Sequence, residues 1–250
     1  SRSFFSERLT VSLGVRSDAI DYSDQTNNLL DQLSPRLSAS YKVTDRLSVN
    51  GSIGRYYQLP PYTVMGYRDS SGRLVNRDNG LTYIQSDHLV AGMAYTFPTN
   101  TRISVEGFYK GYSNYPFLTR DSLTLANLGG DFGVVGNEPA TSSSDGRAYG
   151  VEVFIQQKLY KGFYGLLAYT LLWSEFEDKN GNLVPSAWDS RQFITATAGK
   201  KFNNGWELGL RFRYGGGNPY TPIDAERSSL RAFWDIRGQG IPDYDRLNTE

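Results

Sequence analysis

In LTVSLGVR (residues 9–16) every second side chain is apolar: Leu9, Val11, Leu13 and Val15 share one face of an extended chain, while Thr10, Ser12, Gly14 and Arg16 share the other. Such alternation belongs to a strand that presents one face to an apolar phase. WELGLRFRY repeats it, with Trp206, Leu208, Leu210, Phe212 and Tyr214 opposed to Glu207, Gly209, Arg211 and Arg213. Less regular versions recur in RISVEGFYKGY, YGVEVFIQQKL and QFITATAGKKF. The pattern predicts about nine strands of roughly 9 to 15 residues, long for a soluble sandwich.

The connections alternate as well. Tight turns are predicted at VTDR (43–46), PTNT (98–101), YKG (160–162) and NNG (203–205). Long polar connections are predicted at about 22–34, 59–86, 117–146, 178–189 and from 216 onward. An up-and-down meander then gathers every tight turn at one end and every long loop at the other. Outer-membrane barrels sort their connections in this way, whereas Greek-key sandwiches have no reason to. Aromatic residues flank both ends: Tyr41, Phe97, Tyr160, Phe163, Phe202 and Trp206 near the turns, and Tyr56, Tyr57, Tyr109, Tyr112, Tyr115, Trp173, Phe176 and Tyr214 near the loops. Two girdles at headgroup level are expected, because a Tyr or Trp ring there buries its apolar body and keeps its polar group wet.

Composition narrows the function. Twenty-six basic and 26 acidic residues cancel, which removes nucleic acid as a general partner. The absence of cysteine excludes disulfides and thiolate metal sites. No apolar run reaches the roughly 18 residues of a membrane-spanning helix, and SRSFFSERL lacks the apolar core of a signal peptide, so an export signal is expected upstream. Enzymatic groups are sparse. Ser86, Asp87 and His88 contain the residue types of a nucleophilic triad, yet a polar histidine at a strand end is the simpler reading. Glu175, Glu177 and Asp178 read as solvated rim charges, and Asp69 to Asp78 lacks the ordered acids of a calcium loop. No catalytic residue, metal site or cofactor is expected.

Several motifs in sequence order carry a family resemblance. LSPRLSASYKVTDRLSVNGSIGRYYQLP supplies Ser34, Pro35, Arg36, Tyr41, Lys42, Gly54, Arg55, Tyr56, Tyr57 and Pro60. Further on come Trp188, Asp189 and Arg191, the turn Asn203–Gly205 before Trp206, and Gly217-Asn-Pro-Tyr-Thr-Pro222. Asp243, Tyr244, Arg246, Leu247 and Asn248 look like the start of a closing strand. The ensemble resembles the TonB-dependent outer-membrane receptors. That resemblance implies an all-β fold: residues 1–250 form part of a transmembrane antiparallel up-and-down β-barrel of about 22 strands. The N-terminal plug domain and the last strand or strands lie outside this chain. It further implies an active transporter in the outer membrane of a Gram-negative bacterium, importing a siderophore, vitamin, glycan or peptide. The partners would be outer-membrane lipid, the TonB complex acting through the plug, the nutrient itself, and a surface lipoprotein cap. A passive porin or adhesin barrel and a soluble carbohydrate-binding β-protein are the alternatives.

Two sets of residues are expected to carry that function. Tyr62, Tyr67, Arg68, Arg73, Arg77, Trp188, Arg231 and Trp234 in the long loops mix rings with fixed charges and would contact substrate. The Gly-rich stretch Gly129–Gly136 would move against it. Arg16, Glu106, Lys110, Glu152, Gln156, Glu207, Arg211 and Arg213 would face the lumen, where charge stays hydrated or paired.

Overall fold

A computed structural model describes residues 2–4 (backbone alone), 8–129, 136–232 and 240–250. Its strands, in chain order, are β1 (Arg2–Phe4), β2 (Leu9–Arg16), β3 (Ser34–Lys42), β4 (Leu47–Gln58), β5 (Ile84–Thr96), β6 (Thr101–Leu118), β7 (Leu123–Thr124), β8 (Ala140–Tyr160), β9 (Phe163–Glu177), β10 (Leu183–Pro185), β11 (Gln192–Lys201) and β12 (Glu207–Gly215). Nine are long; β1, β7 and β10 have two or three residues each. All belong to one antiparallel sheet ordered β1-β2-β3-β4-β5-β6-β8-β9-β11-β12, with β7 beside β6 and β10 beside β9. The sheet is open. Among the described residues β12 has no outer neighbour, and all nine of its residues are exposed.

The tight turns close where the sequence placed them, by identifiable local bonds. Thr44 Oγ1 accepts from the backbone of Arg46 (3.2 Å) and Leu47 (2.9 Å), which folds the β3–β4 turn. Lys161 and Gly162 both have positive φ (49° and 81°), the mirror-image turn whose twist matches a two-residue hairpin. The β5–β6 and β11–β12 turns share one design. In each, the first residue donates to the fifth (Phe97 to Thr101, Phe202 to Trp206, both 2.8 Å), and the fourth, Asn100 or Gly205, has positive φ. Every tight turn lies at one end of the sheet and every long connection at the other.

Register assigns the two faces. Leu13, Leu37, Ile53, Leu89, Tyr109, Tyr149 and Trp173 form one row across the apolar face. The opposite face carries Thr10, Ser40, Asn50, Gly92, Glu106, Glu152 and Thr170 in the corresponding row. Strand heights differ from the expectation. β6 and β8 reach 18 and 21 residues, whereas a tilted strand crosses a bilayer in about 9 to 11. The extra length comes from the loop end, so the connection expected at 117–146 shrinks to 119–139. A bulge between Tyr112 and Tyr115, with Asn114 at φ 59°, bends this tall part.

Among the described residues, the wall below the loop end holds no buried apolar cluster. The main one lies among the loops: Val64, Met65, Leu81, Leu118, Leu125 and Ala140, with Tyr22, Leu59, Tyr115 and Leu128 packed around it. The loops are therefore a packed crown. Asn76, fully buried, ties two of them together: its Nδ2 donates to the carbonyls of Val64 (2.7 Å) and Glu138 (2.9 Å), and its Oδ1 accepts from Ala140 N (2.7 Å). The segment expected to begin a strand at Asp243–Asn248 instead forms a 3-10 helix at Tyr244–Arg246, capped by Asp243. Asn248 then turns inward at φ 53° and donates to the carbonyls of Asn127 (3.1 Å) and Pro185 (2.9 Å). Those bonds hold the segment across the crown.

Candidate functional site

A cleft of about 1140 Å³ opens on the polar face at the loop end. Its floor is the upper part of β4, β5, β6 and β9; its rim is formed by residues 16–20, 57–62 and Trp188. The bulge in β6 creates the aromatic wall: Tyr115 meets Phe176 at 4.6 Å between ring centres, and Tyr112 meets the same ring at 5.3 Å. Tyr56, Tyr57, Tyr62 and Tyr83 add further rings. Gly146, the register partner of both Tyr112 and Phe176, leaves the space that the Phe176 ring fills.

The polar groups in the cleft are few. Arg16 binds Asp18 through two donors, at 3.0 and 2.6 Å. His88 Nε2 lies 2.8 Å from Ser86 Oγ, and the imidazole stacks on Tyr56 with ring centres 4.4 Å apart. Asp87 is not part of this arrangement. Strand alternation turns it to the apolar face, where it takes Arg55 in a bidentate pair (2.7 and 2.8 Å). Ser86, Asp87 and His88 therefore do not assemble a triad.

The expected loop contacts divide. Tyr62 and Trp188 line the cleft. Arg68, Arg73 and Arg77 do not, because they fold their own loop. Arg68 donates to Gly72 O (2.6 Å), Arg73 pairs with Asp69 (3.2 Å) and Asp78 (3.8 Å), and Arg77 pairs with Asp78 (3.5 Å). Asp69 organises that turn. Bonds from the Ser71 hydroxyl (2.6 Å) and the Arg73 backbone (3.1 Å) hold its carboxyl down at about 2. Tyr67 is half-buried beside the turn and Arg231 is exposed near the far end of the chain; neither lines the cleft. Trp234 and most of Gly129–Gly136 lie outside the described residues.

All eight residues expected to face a lumen share the polar face by register. Glu106 and Glu152 stand directly opposite one another, and Asn50 Nδ2 donates to Glu106 (2.9 Å). The aromatic residues, in contrast, do not all form girdles. The six near the tight turns are each at least 40% exposed, as a belt requires. At the loop end Tyr109, Tyr149, Trp173 and Tyr214 occupy the apolar face, with Tyr149 stacked on Trp173 (5.4 Å, 6°). Tyr56, Tyr112 and Phe176 alternate to the polar face and build the cleft. Tyr149 carried a readable signal, the same alternation that placed Tyr109. Tyr83 and Ser174 carried none.

Asp189 lies behind the cleft, bonded to Ser174 of its lining. Its fully buried carboxylate accepts from Ser174 N (3.3 Å) and faces Arg191 at 3.0 Å. Burial pushes this carboxyl above its ordinary range, against the pull of Arg191.

The model of the TonB dependent receptor-like β-barrel family matches residues 3–249. The chain belongs to that family. Its members are outer-membrane proteins of Gram-negative bacteria, receptors and transporters and not enzymes. Solved structures of the same fold include the pyoverdine outer membrane receptor FpvA of Pseudomonas aeruginosa PAO1 (TM-score 0.60, 19% identity, 89% of this chain and 31% of that one). The ferric-catecholate import receptor Fiu of E. coli K12 also matches (0.56, 12%, 77% and 26%), as does the copper transporter OprC (0.52, 13%, 73% and 25%). No curated sequence matches. This TonB-dependent receptor chain thus spans about a quarter to a third of the length of the structures it resembles.

Proposed function

We propose that the chain is part of an outer-membrane active transporter that captures a scarce nutrient in the aromatic cleft and passes it along the polar face. In this reading the apolar face meets lipid, the polar face meets the lumen, the long loops are extracellular, and the plug and closing strands belong to the rest of a longer protein. Energy enters through the TonB complex acting on that plug. The observation that carries the reading is the cleft: rings from strands that rise above bilayer height converge on the polar face, beneath an ordered crown. Sites with predominantly aromatic walls and few fixed polar groups are the usual form of small-molecule capture.

Growth of the native host on limiting iron, vitamin, glycan and peptide sources tests the proposal. A strain lacking the full-length protein should fail on one of these, and a strain lacking TonB should fail on the same one. Growth that depends on this protein but not on TonB would identify a passive porin.

A further inference from the structure

The apolar face carries charge at both of its ends, and the two ends differ. At the loop end the cations are matched: Arg55 pairs with Asp87 and Arg147 with Glu175, both at 2.7 Å. At the tight-turn end register places a single charged residue on this face, Lys200, between Phe163 and Leu208 in one row. Among the described residues it has no acidic partner within 4.0 Å, because Glu207 lies on the polar face and pairs with Lys201 (3.7 Å). Its ammonium is nevertheless held in place. Lys200 Nζ donates to Lys161 O (3.0 Å) and stands 3.6 Å from the centre of the Phe163 ring. Lys161, in the turn that joins Tyr160 to Phe163, sets its own Nζ 5.5 Å from the centre of the Tyr160 ring. Both rings are exposed, as is Leu208.

Strand length gives the depth of this cluster. On β9, eleven residues separate Phe163 from the ion-paired Glu175, and those on the apolar face are Gly165, Leu167, Tyr169, Leu171 and Trp173. A tilted strand crosses the hydrocarbon in about 9 to 11 residues. Glu175 therefore marks one boundary along this strand, and Phe163 with Lys200 the other. The surrounding end is basic: the four tight turns, with two residues on either side of each, hold Lys42, Arg46, Arg102, Lys161, Lys200 and Lys201 against Asp45 and Glu207, in a chain of zero net charge. Unmatched cations at headgroup level attract anionic lipid.

We propose that Lys161 and Lys200 form a headgroup site for an anionic phospholipid on the lipid-facing side of the wall, with the phosphodiester between the two ammonium groups and an acyl chain along Phe163, Leu208 and Leu210. The inference rests on the reading of the apolar face as lipid-facing and names the lipid. The rings hold the lysine stems against the wall, so that both cations stay at the boundary. A zwitterionic headgroup carries a cation of its own, which two lysines repel.

The test places the full-length receptor in phosphatidylcholine bilayers that contain a small share of acyl-brominated phosphatidylglycerol or acyl-brominated phosphatidylcholine. Quenching of Trp206, exposed in the adjoining turn, is read by difference from Trp206→Phe. Phosphatidylglycerol should be enriched at Trp206 by at least about fivefold over phosphatidylcholine, the factor one basic residue contributes near an anionic surface. Lys161→Gln with Lys200→Gln should abolish the enrichment, and Lys161→Arg with Lys200→Arg should keep it. Lys201→Gln, on the polar face, should leave most of it, and every variant is read on protein that retains its SDS-resistant band. Equal quenching by the two lipids would overturn the headgroup site while leaving the apolar face in lipid. Enrichment that survives the double Gln variant would overturn the assignment to these lysines. No quenching of Trp206 by either lipid would overturn both the site and the lipid-facing reading of this end of the wall.

Discussion

In the wall of the sheet, Val49, Met93 and Val105 stand side by side in one row and are 37 to 56% exposed; in the crown, Val64 and Leu118 are completely buried. The wall is held by backbone ladders and leaves its apolar side chains for an external solvent. Crown residues make their own apolar interior and fasten it with buried amides, Asn76 and Asn248. The difference shows which solvent each part was built for. An apolar face that stays open belongs in lipid, where no water is displaced by folding it inward, whereas loops standing in water need a core of their own. The crown can therefore hold the rim of the cleft, with its tyrosines, in a fixed shape.

Orientation is the sharpest way to break this comparison, since it gives an all-or-none outcome. Ser70→Cys in the crown and Asn203→Cys in a tight turn are both exposed positions. In the full-length protein on intact cells, an impermeant thiol reagent should label the first and spare the second. Equal labelling would remove the assignment of crown to water outside and wall to membrane.

The next largest effect concerns the wall alone. Val105→Arg places a charge on the apolar face and should cost roughly 2 to 4 kcal/mol if that face meets the bilayer midplane. It should deplete the SDS-resistant folded band of the full-length protein. Gln156→Leu, on the polar face of the adjoining strand β8, should leave that band intact. Equal behaviour of the two would mean that the faces are not distinguished by their solvent.

In the crown the critical group is polar. Asn76→Ala removes three bonds, those to the carbonyls of Val64 and Glu138 and that from the amide of Ala140, at about 1 to 3 kcal/mol for each group left unsatisfied before local relaxation. The damage should stay in the crown: trypsin should cut faster at Arg68, Arg73, Arg77 and Arg120, while the wall keeps its SDS-resistant band. Loss of both together would show that wall and crown are one cooperative unit.

The two regions were unequally legible in the sequence. The wall could be read because each strand residue reports its solvent by its own polarity, and because Val-Thr-Asp-Arg, Tyr-Lys-Gly and Asn-Asn-Gly name their turns. Residues of the crown report nothing of the kind. In NRDNG, Asn76 is fully buried and Asn79, three residues later, is exposed, and no periodicity tells them apart. Its arginines looked like ligand contacts and are engaged locally: Arg73 and Arg77 pair with an Asp one to five residues away, and Arg68 donates to Gly72 O. The cleft fell between these cases. Alternation alone separates Tyr56 and Tyr112 from Tyr109, but the bulge at Asn114 resets the count before Tyr115, and a bulge of this kind has no sequence mark here.

The smallest effect separates two carboxylates within the crown. Asp69 is half-buried and held at about 2 by the Ser71 hydroxyl, the Arg73 and Ser71 amides and the Arg73 guanidinium. A carboxyl depressed in the folded state contributes stability above its ordinary pKa, and that contribution is lost as pH falls through the folded value. The 69–73 turn should therefore be unchanged from pH 8 down to pH 5. Asp189 has the opposite sign. Burial raises its pKa in spite of Arg191, so its contribution is greatest in acid and declines as pH rises through the folded value. Hydrogen exchange of the full-length protein, corrected for intrinsic rates, should show Ser71 and Arg73 amides indifferent between pH 8 and 5, and a Ser174 amide, bonded to Asp189, whose protection declines as pH rises above the ordinary carboxylate range. Asp69→Ala should expose the first pair at every pH in this range, and Asp189→Asn should flatten the pH response of Ser174. A Ser174 amide that loses protection on acidification would mean that the ion pair with Arg191 outweighs burial, and that this side of the cleft is held by charge.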